Sequence, residues 1–410
     1  MERTALAVVF NQGRDEELAA LRARVAELTA ERWDILCRVV DNYGDAAVCF
    51  RLARALAREH GLPVRLVIDR PRVLAALRPD LCMAGPRQWL DGVEVVDSAQ
   101  APDDGAPAVT IDAFGGGVDE ARQQAMEGRQ PRGLWIVLEY LTAEPFAERL
   151  HAMPSPPPLR TIPRWFFFPG FTPGTGGLLR ERGLLARREA FLAAPGQPDA
   201  FLASVGVARP RPGAHRVSLF TYPGQPALAP LLAAMSRSPV PTELLVPPGP
   251  VAGEVAGWAG TALPAPGEPG LERGGLTVTA LPFLPQDEYD RLLWSCDLNI
   301  VRGEDSFVRA QWAGRPLLWR PYPQPDGADR VKGEAFLDAY LAGAPVAAAR
   351  ALRQLQAPWL GPEPLPDAGW TDYLDASAVL RAHARAWADG LAAGPDLASR
   401  LASFCLGKLQ

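Results

Sequence analysis

Residues 297–314 read DLNIVRGEDSFVRAQWAG, and this stretch predicts a strand, a tight polar turn and a helix in succession. An apolar run at residues 298–301 predicts the strand, and the polar residues 302–306 predict the turn. Residues 307–313 predict the helix. Free N–H groups and a positive dipole end at the start of such a helix favour an anion, usually a phosphate. A plain strand–turn–helix unit with Ser306 as the helix cap explains the local pattern equally well.

The composition describes a globular protein with two domains. The chain has 410 residues, more than one ordinary domain holds, with 48% hydrophobic and 22% charged residues. The net charge of −5 and the lack of a Lys/Arg-rich run argue against a nucleic-acid partner. The sequence has no apolar run long enough to cross a membrane and no signal peptide, so we expect a cytoplasmic protein without membrane contact.

The common cofactor and catalytic motifs are missing from the sequence. The five cysteines form no C-x-x-C pair and the four histidines are not paired at ligand spacing, so we expect no metal and no disulfide framework. A D-x-D pair, which holds a metal-bound sugar nucleotide, does not occur. The absence of a P-loop, of G-x-G-x-x-G spacing and of G-x-S-x-G argues against a P-loop kinase, a dinucleotide oxidoreductase and a hydrolase.

The first half of the chain has the order of a parallel α/β domain. Residues 33–40 (WDILCRVV) predict a strand that ends in the loop DNYGD at residues 41–45. A helix is predicted at residues 46–60 and a second strand at residues 64–69. This β–turn–α–β order starts a parallel sheet. Further strand-like runs lie at residues 92–96, 108–111 and 134–138.

The second half predicts another parallel α/β domain, with a cleft between the two. Residues 154–180 are rich in Pro, Gly and aromatic residues, and they predict a structured loop at the domain junction. The predicted strands of the second domain are residues 216–222, 242–246, 276–280 and 297–301.

Acidic residues follow several strands of the first domain. Ligands of open α/β sheets collect outside the carboxyl ends of the strands. Asp41, Asp45, Asp112 and Glu139 are therefore candidates for one wall of the cleft.

The DNYGD loop contains more polar groups than a helix start needs. Asp45 stands at the expected N-cap position, where Asp contributes ~1 kcal/mol and the helix dipole favours its anion. Capping does not explain Asp41, Asn42 and Tyr43 beside it. Two carboxylates four residues apart are suited to bind a cation or accept a proton.

Aromatic residues lie at the ends of two strands of the second domain. Phe220 and Tyr222 point to the same face of their predicted strand, and Phe283 lies in a Pro-flanked corner. Core packing is one interpretation of these rings. The other is an aromatic wall for a flat base or a sugar.

Five long blocks resemble one known family. WDILCRVVDNYGDAAVCFRLARALA, WIVLEYLTAE, FFFPGFTPGTGGLLRE, LFTY and DLNIVRGEDSFVRAQWAGRP are similar, in this order, to the protein-arginine rhamnosyltransferase (EarP) family. The resemblance implies a GT-B-like α/β fold, in which two Rossmann-like domains face each other across a deep interdomain cleft. It also implies inverting, metal-independent transfer without a cofactor, from the co-substrate TDP-β-L-rhamnose to an arginine of elongation factor P. The modified factor rescues ribosomes stalled at polyproline.

The resemblance assigns roles to individual residues. Asp45 resembles the general base and Asp41 its supporting carboxylate, and Glu304 resembles an essential residue of the donor side. The residues implied to bind the donor are Asn42, Tyr43, Gly44, Phe220, Tyr222, Phe283, Arg302, Gly303, Asp305 and Ser306. One departure affects the catalytic loop, because Ala46-Ala47 replace the Ile-Gly that commonly follows DNYGD in the family.

We expect four segments along the chain. Residues 1–31 form an N-terminal extension, helical or disordered. Residues 32–190 form the acceptor-side domain with the catalytic Asp loop, and residues 191–370 form the donor-side domain. Residues 371–410 form a helical segment that packs back on the first domain. A GT-B enzyme with another nucleotide sugar or acceptor, and a non-catalytic nucleotide-sugar-binding protein, are the alternatives.

Overall fold

Two separate sheets form the framework of the computed structural model, which describes residues 29–41, 43–155, 162, 164–207 and 213–409. The first sheet has eight strands in the order β3-β4-β2-β1-β5-β6-β8-β7. These are β1 (Trp33–Cys37), β2 (Val64–Ile68), β3 (Arg87–Leu90), β4 (Val93–Asp97), β5 (Val109–Ala113), β6 (Leu134–Leu138), β7 (Pro154–Ser155) and β8 (Arg164–Phe167).

The second sheet has six strands in the order β11-β12-β10-β9-β13-β14. These are β9 (His215–Leu219), β10 (Thr242–Val246), β11 (Leu271–Arg273), β12 (Leu276–Ala280), β13 (Leu298–Arg302) and β14 (Leu317–Arg320).

Both sheets have the strand order of a Rossmann fold. The chain begins at the middle of each sheet, extends it to one side and then switches to the other, which gives the parallel series β4-β2-β1-β5-β6 and β12-β10-β9-β13-β14. The switch points lie between β1 and β5 and between β9 and β13, where such sheets bind ligands. The predicted α/β class with two Rossmann-like sheets is confirmed.

Helices connect the strands. They are α1 (Tyr43–His60), α2 (Pro71–Leu77), α3 (Glu120–Gly128), α4 (Phe146–Leu150), α5 (Leu184–Ala193), α6 (Gln197–Ser204), α7 (Leu228–Arg237), α8 (Pro250–Ala259), α9 (Gln286–Ser295), α10 (Asp305–Ala313), α11 (Ala328–Leu341), α12 (Val346–Leu360), α13 (Gly369–Ala392) and α14 (Leu397–Leu409), with a 3-10 turn at Ser98–Gln100. No helix among the described residues is long and apolar enough to span a membrane.

Each sheet has its own hydrophobic core, and the C-terminal helices divide between the two. Trp370 and Tyr373 of α13 are buried in the core of the second sheet. Leu397 and Leu401 of α14 are buried in the core of the first. The chain therefore returns to the first domain at its end. The sequence boundaries at residues 190 and 370 stay predictions.

The two segments that cross between the domains are hydrogen-bonded to each other. The N–H of Leu397 donates to the carbonyl of Leu178 at 3.0 Å. The guanidinium of Arg180 donates to the carbonyl oxygens of Ala392 at 2.8 Å and Gly394 at 3.2 Å. The outgoing and returning chains thus lie side by side.

Several parts of the fold differ from the sequence prediction. The strands predicted at residues 33–40 and 216–222 end earlier, at Cys37 and Leu219, and the helix predicted at residues 307–313 begins at Asp305. Residues 164–167 lie within the predicted loop but form β8, which pairs in parallel with β6. The apolar WFF segment fills a sheet position, and the prolines that suggested a loop lie outside it. Helix α1 begins at Tyr43 rather than at residue 46. Residues 1–28 of the predicted extension lie outside the described residues.

Leu401→Ala tests whether α14 completes the first core. The side chain is fully buried, so its truncation leaves a cavity, and we expect a loss of about 2–5 kcal/mol in the free energy of unfolding. Urea denaturation measures this loss. Ser403→Ala, on the exposed side of the same helix, is the control and should stay within about 0.5 kcal/mol of wild type. Equal stability of the two variants would contradict the packing.

Candidate active site

Asp45 lies fully buried in the first turn of α1. Its Oδ2 accepts hydrogen bonds from the N–H groups of Val40 at 2.7 Å and Asp41 at 2.8 Å. The prediction that Asp45 is the N-cap is wrong, because the helix begins two residues earlier and the carboxylate reaches back to the loop before it. Its Oδ1 has no hydrogen-bond partner among the described residues.

Burial is the main influence on the pKa of Asp45. Desolvation raises the pKa of its carboxyl, and the nearby carboxylates of Asp41 and Glu304 raise it further, while the two backbone N–H groups oppose the shift. An N-cap position had predicted a carboxylate that stays ionised at neutral pH. A carboxylate with a raised pKa holds a proton more strongly, which suits a group that must accept one.

Asp41 connects the first domain to the second. Its Oδ2 accepts a hydrogen bond from the hydroxyl of Tyr222 at 2.6 Å. Burial raises the pKa of Asp41, and Tyr222 and Arg302 lower it. Burial next to Asp41 raises the pKa of Tyr222 far above its ordinary value, so the phenol remains the donor. This contact brings together two predicted site residues that are 181 positions apart.

Gly303 allows this close approach. Its φ is +60°, and a Cβ there would lie 2.5 Å from Asp41 Oδ2 and 3.0 Å from the Tyr222 hydroxyl. Gly44 is similarly close, since its Cβ would lie 3.1 Å from the same Asp41 oxygen. A side chain at Gly303 would push the two domains apart at the site, and one at Gly44 would displace Asp41 within the first domain.

A cavity of about 400 Å³ opens beside these contacts. Four of the described helices, α1, α8, α9 and α10, begin at its wall, so their positive dipole ends converge there. Of the predicted site residues, the cavity is lined by Asp41, Tyr43, Gly44, Phe220, Phe283, Arg302, Asp305 and Ser306. Asn42, also predicted to bind the donor, lies outside the described residues.

Aromatic rings shape the cavity. The guanidinium carbon of Arg302 lies 4.5 Å from the centre of the Phe220 ring and 4.6 Å from that of Tyr222. Both rings therefore lie against the same guanidinium, although they follow the end of β9 at Leu219 and do not share a strand face as predicted. Phe283 extends from the second domain to contact Tyr43 of the first, with ring centres 5.5 Å apart. Phe283 is 42% exposed, so it is accessible to a ligand rather than packed in a core.

The two acidic residues of the 302–306 turn are each paired with a cation. Glu304 Oε1 lies 2.7 Å from the Nζ of Lys332, and its Oε2 accepts from the N–H of Leu141 in the first domain at 3.1 Å. Asp305 Oδ1 lies 3.0 Å from the Nε of Arg51. Burial raises the pKa of Asp305, and Arg51 lowers it. Neither carboxylate is therefore left unpaired beside a bound anion.

The helix start itself is open to the cavity. The hydroxyl of Ser306 donates to the carbonyl of Arg302, so Ser306 does not act as the side-chain cap of α10. Glu304 occupies the N-cap position and makes no side-chain cap bond either. The first N–H groups of α10 have no intrahelical partners, and a ligand in the cavity is placed to accept from them.

The four carboxylates predicted for one cleft wall do not all meet there. Asp41 and Asp45 lie at the domain contact, and Glu139 lines a small cavity of about 30 Å³ beside Glu304. Asp112 instead accepts from the N–H of Gly117 at 3.0 Å, in a separate depression of the first domain. The glycine-rich turn at residues 113–117 binds this side chain through the N–H of Gly117, away from the cleft.

A buried ion cluster lies behind the site and was not predicted from the sequence. Arg51 of α1 and Arg309 of α10 both bind Glu181, at 2.9 and 2.6 Å. Arg309 also makes two hydrogen bonds to Asp290, of 2.7 and 2.6 Å. Arg51 and Arg309 lie on buried helix faces among apolar residues. A charged residue on the apolar face of a predicted helix is the sequence signal that could have revealed them. Gln286 and Tyr289, which line the cavity, were also missed.

No group of three or more His, Cys, Asp or Glu side chains in the described part of the chain is placed to hold a metal ion.

Comparison with known proteins assigns the chain to a family. A family model described as Elongation-Factor P (EF-P) rhamnosyltransferase EarP matches residues 33–406. The chain belongs to the EarP family. A protein-arginine rhamnosyltransferase of Pseudomonas aeruginosa is 47% identical to it over 376 residues, which cover 91% of this chain and 98% of the relative. One from Neisseria meningitidis is 31% identical over 393 residues, with 90% and 96% covered.

A solved structure supports the EarP assignment. It is described as "Structural basis for EarP-mediated arginine glycosylation of translation elongation factor EF-P" and is 37% identical to this chain. The TM-score is 0.64, with 91% of this chain and 98% of the other covered. This EarP-family chain is therefore a glycosyltransferase with the predicted GT-B-like fold, and its family acts on an arginine of a protein.

Gly303→Ala tests the domain contact. The added Cβ would displace Asp41 and Tyr222, so we expect glycosyl transfer to fall by about tenfold or more, because small misplacements of reacting groups are costly. Gly327→Ala is the matched control, since Gly327 has a similar φ of +76° with nothing within 4 Å of a Cβ. Both variants should lose about 1 kcal/mol of stability from backbone strain. Steady-state kinetics and thermal unfolding separate the two effects, and an active Gly303→Ala enzyme would refute the contact's role.

Proposed function

We propose that this chain transfers L-rhamnose from TDP-β-L-rhamnose to an arginine side chain of elongation factor P, with inversion at the anomeric carbon. The acceptor is a translation factor, so we place the reaction in the cytoplasm, where the modified factor rescues ribosomes stalled at polyproline. TDP-β-L-rhamnose is a co-substrate, and the proposed reaction needs neither a metal nor a cofactor.

The observation that carries this proposal is the meeting of the DNYGD loop and the 302–306 turn across the domain boundary. The family match spans both segments, and the 2.6 Å contact between Tyr222 and Asp41 joins them. The first domain supplies the carboxylates of Asp41 and Asp45. The cavity is lined by both domains, and the second domain contributes the N-termini of α8, α9 and α10 and the guanidinium of Arg302. This division suits a cationic acceptor on one side and a nucleotide diphosphate on the other.

A carboxylate base suits arginine as the acceptor. A guanidinium is protonated throughout the physiological pH range and is a poor nucleophile, so no carboxylate can deprotonate it in advance. In our proposal Asp45 orients the guanidinium and accepts its proton as the new C–N bond forms and the nitrogen becomes acidic. Asp45 Oδ2 is held by two backbone N–H groups, so the unpartnered Oδ1 is the oxygen available for this proton.

The donor cavity serves the leaving group. As the bond between the sugar and the diphosphate breaks, negative charge grows on the departing TDP. The N–H groups at the start of α10 and the guanidinium of Arg302 are suited to stabilise it. We propose that the rings of Phe220, Tyr222 and Phe283 hold the thymidine. Attack from the opposite face of the sugar then gives inversion.

Mass spectrometry of purified elongation factor P tests the transfer. Incubation with this protein and TDP-β-L-rhamnose should add one rhamnose to a single arginine, while UDP- and GDP-sugars should give little product. Asp45→Asn should lower the transfer rate by about 100-fold or more, the range for loss of a general base. Its donor affinity, measured by calorimetry, should stay within about threefold of wild type.

A second carboxylate of the same region provides the control for Asp45→Asn. Asp69 Oδ1 accepts from the N–H of Val39 at 2.9 Å but lies outside the cavity, so Asp69→Asn should transfer normally. A wild-type enzyme that binds TDP-rhamnose without modifying the factor would overturn the acceptor assignment. Unaltered turnover by Asp45→Asn would overturn the base assignment.

The pH dependence of transfer follows from the raised pKa of Asp45. The base must be ionised, so the rate should fall as the pH drops through this raised pKa, at a pH above the ~3.9 of an ordinary Asp. Single-turnover rates between about pH 4 and 9, with circular dichroism to verify folding, measure this limb. Because Asp41 titrates nearby, the limb reports the pair. A flat rate down to about pH 4 would contradict the assignment.

A further inference from the structure

Lysine is almost absent from this sequence. The chain has 42 Lys and Arg residues, and only Lys332 and Lys408 among them are lysine. Arginine fills every other basic position, on the surface and in buried pairs alike. A lysine in so arginine-rich a chain, at a partly buried contact, points to a position where a compact ammonium is needed and a guanidinium is not equivalent.

Lys332 lies on α11 and reaches the site directly. Its Nζ is 2.7 Å from Glu304 Oε1. It also lies 5.3 Å from the ring centre of Tyr140, in the first domain, and 5.7 Å from that of Trp319, in the second. The ammonium is therefore enclosed by one carboxylate and two aromatic faces, one from each domain.

Trp319, one of the two rings beside the ammonium, is held in place by its own contacts. Trp319 stacks on Phe307 with ring centres 3.7 Å apart and an interplanar angle of 3°. Its Nε1–H donates to the carbonyl of Gly303 at 2.8 Å. The peptide just before Glu304 is thus fixed by the same ring that contacts Lys332. A planar guanidinium, with its broader fork of donors, does not occupy this space in the same way.

We propose that Lys332 is a positioning residue for the transfer reaction: it holds the Glu304 carboxylate in the one orientation that spans the domain boundary. With Oε1 bound to Lys332, Oε2 is aimed at the N–H of Leu141. Glu304 then keeps its place beside the carboxylates of the DNYGD loop when substrate binds. This inference rests on the proposed transferase function and adds to it a residue that acts through Glu304.

Several charged or titratable groups face Glu304 besides Lys332. They come from the DNYGD loop and α1, from the end of β6 and from the end of β9. Lys332 is the cation that pairs directly with Glu304. The titratable groups near Glu304 from these elements are Asp45, Tyr140 and Tyr222, and a small cavity lined by Glu304 is also lined by Glu139, Asp305, Arg51 and Arg309.

Lys332→Met and Lys332→Arg test the proposal in the full-length enzyme with elongation factor P and TDP-β-L-rhamnose. Lys332→Met should lower kcat by about tenfold or more, with the KM for the donor within about threefold of wild type. Lys332→Arg should not restore kcat, since charge alone is not sufficient.

Lys408→Met provides the matched control. Lys408 also lies over aromatic rings, 3.9 Å from that of Trp165 and 5.6 Å from that of Phe404, but on α14, far from Glu304 in the fold. Lys408→Met should leave kcat and the KM for the donor unchanged. A Lys332→Met enzyme with wild-type kcat, or a Lys332→Arg enzyme with wild-type kcat, would overturn the proposal. Absence of transfer by the wild type would instead refute the proposed function itself.

Discussion

Glu181 binds one arginine from each domain at the same time, and the geometry of the active site depends on this buried bridge. Its two carboxylate oxygens lie 2.9 Å from Arg51 and 2.6 Å from Arg309. Each unpaired ion in such a buried place costs several kcal/mol, so a displacement of one domain that breaks a pair is strongly opposed. Arg51 belongs to α1, which begins in the DNYGD loop, and Arg309 belongs to α10, which begins at Asp305. Fixing these two helices aligns both halves of the site.

Ion pairs also explain how acidic residues can lie near the proposed diphosphate site. The turn 302–306 carries two carboxylates, and each contacts a cation: Glu304 contacts Lys332, and Asp305 contacts Arg51, which Glu181 shares. The cavity side presents the backbone N–H groups of α10 and the guanidinium of Arg302. An anion therefore meets donors on one face of the turn, and the carboxylates serve the contact between the domains.

Much of this arrangement was predictable from local sequence patterns. The strands at residues 134–138, 242–246 and 276–280 have the predicted bounds, because apolar runs flanked by polar corners are typical of buried parallel strands. The turn between β13 and α10 followed from Gly303 before a helix start, and its role as an anion site stays a prediction.

What the sequence did not reveal depends on distant partners. Asp112 was expected in the cleft, but a local turn captures it, and the Tyr222–Asp41 contact joins segments that no periodicity connects. The buried cluster around Arg51 was missed because a charged residue on a helix is normally read as exposed. The raised pKa of the Asp45 carboxyl was also not predicted, because it results from burial in the folded protein.

Because α14 returns to the first core, the first domain is built from two separate parts of the chain and the second domain from one. The second domain is inserted into the first, between the crossing near residue 180 and the crossing near residue 394, and these crossings are bonded to each other. The domains are thus joined by two chain segments that are hydrogen-bonded to each other, and not by a single linker. In a chimera of two family members, the second domain could therefore be exchanged only as an internal segment with two junctions. A chimera with one junction near residue 190 would combine its first domain with the α14 of another protein, although α14 completes the first core.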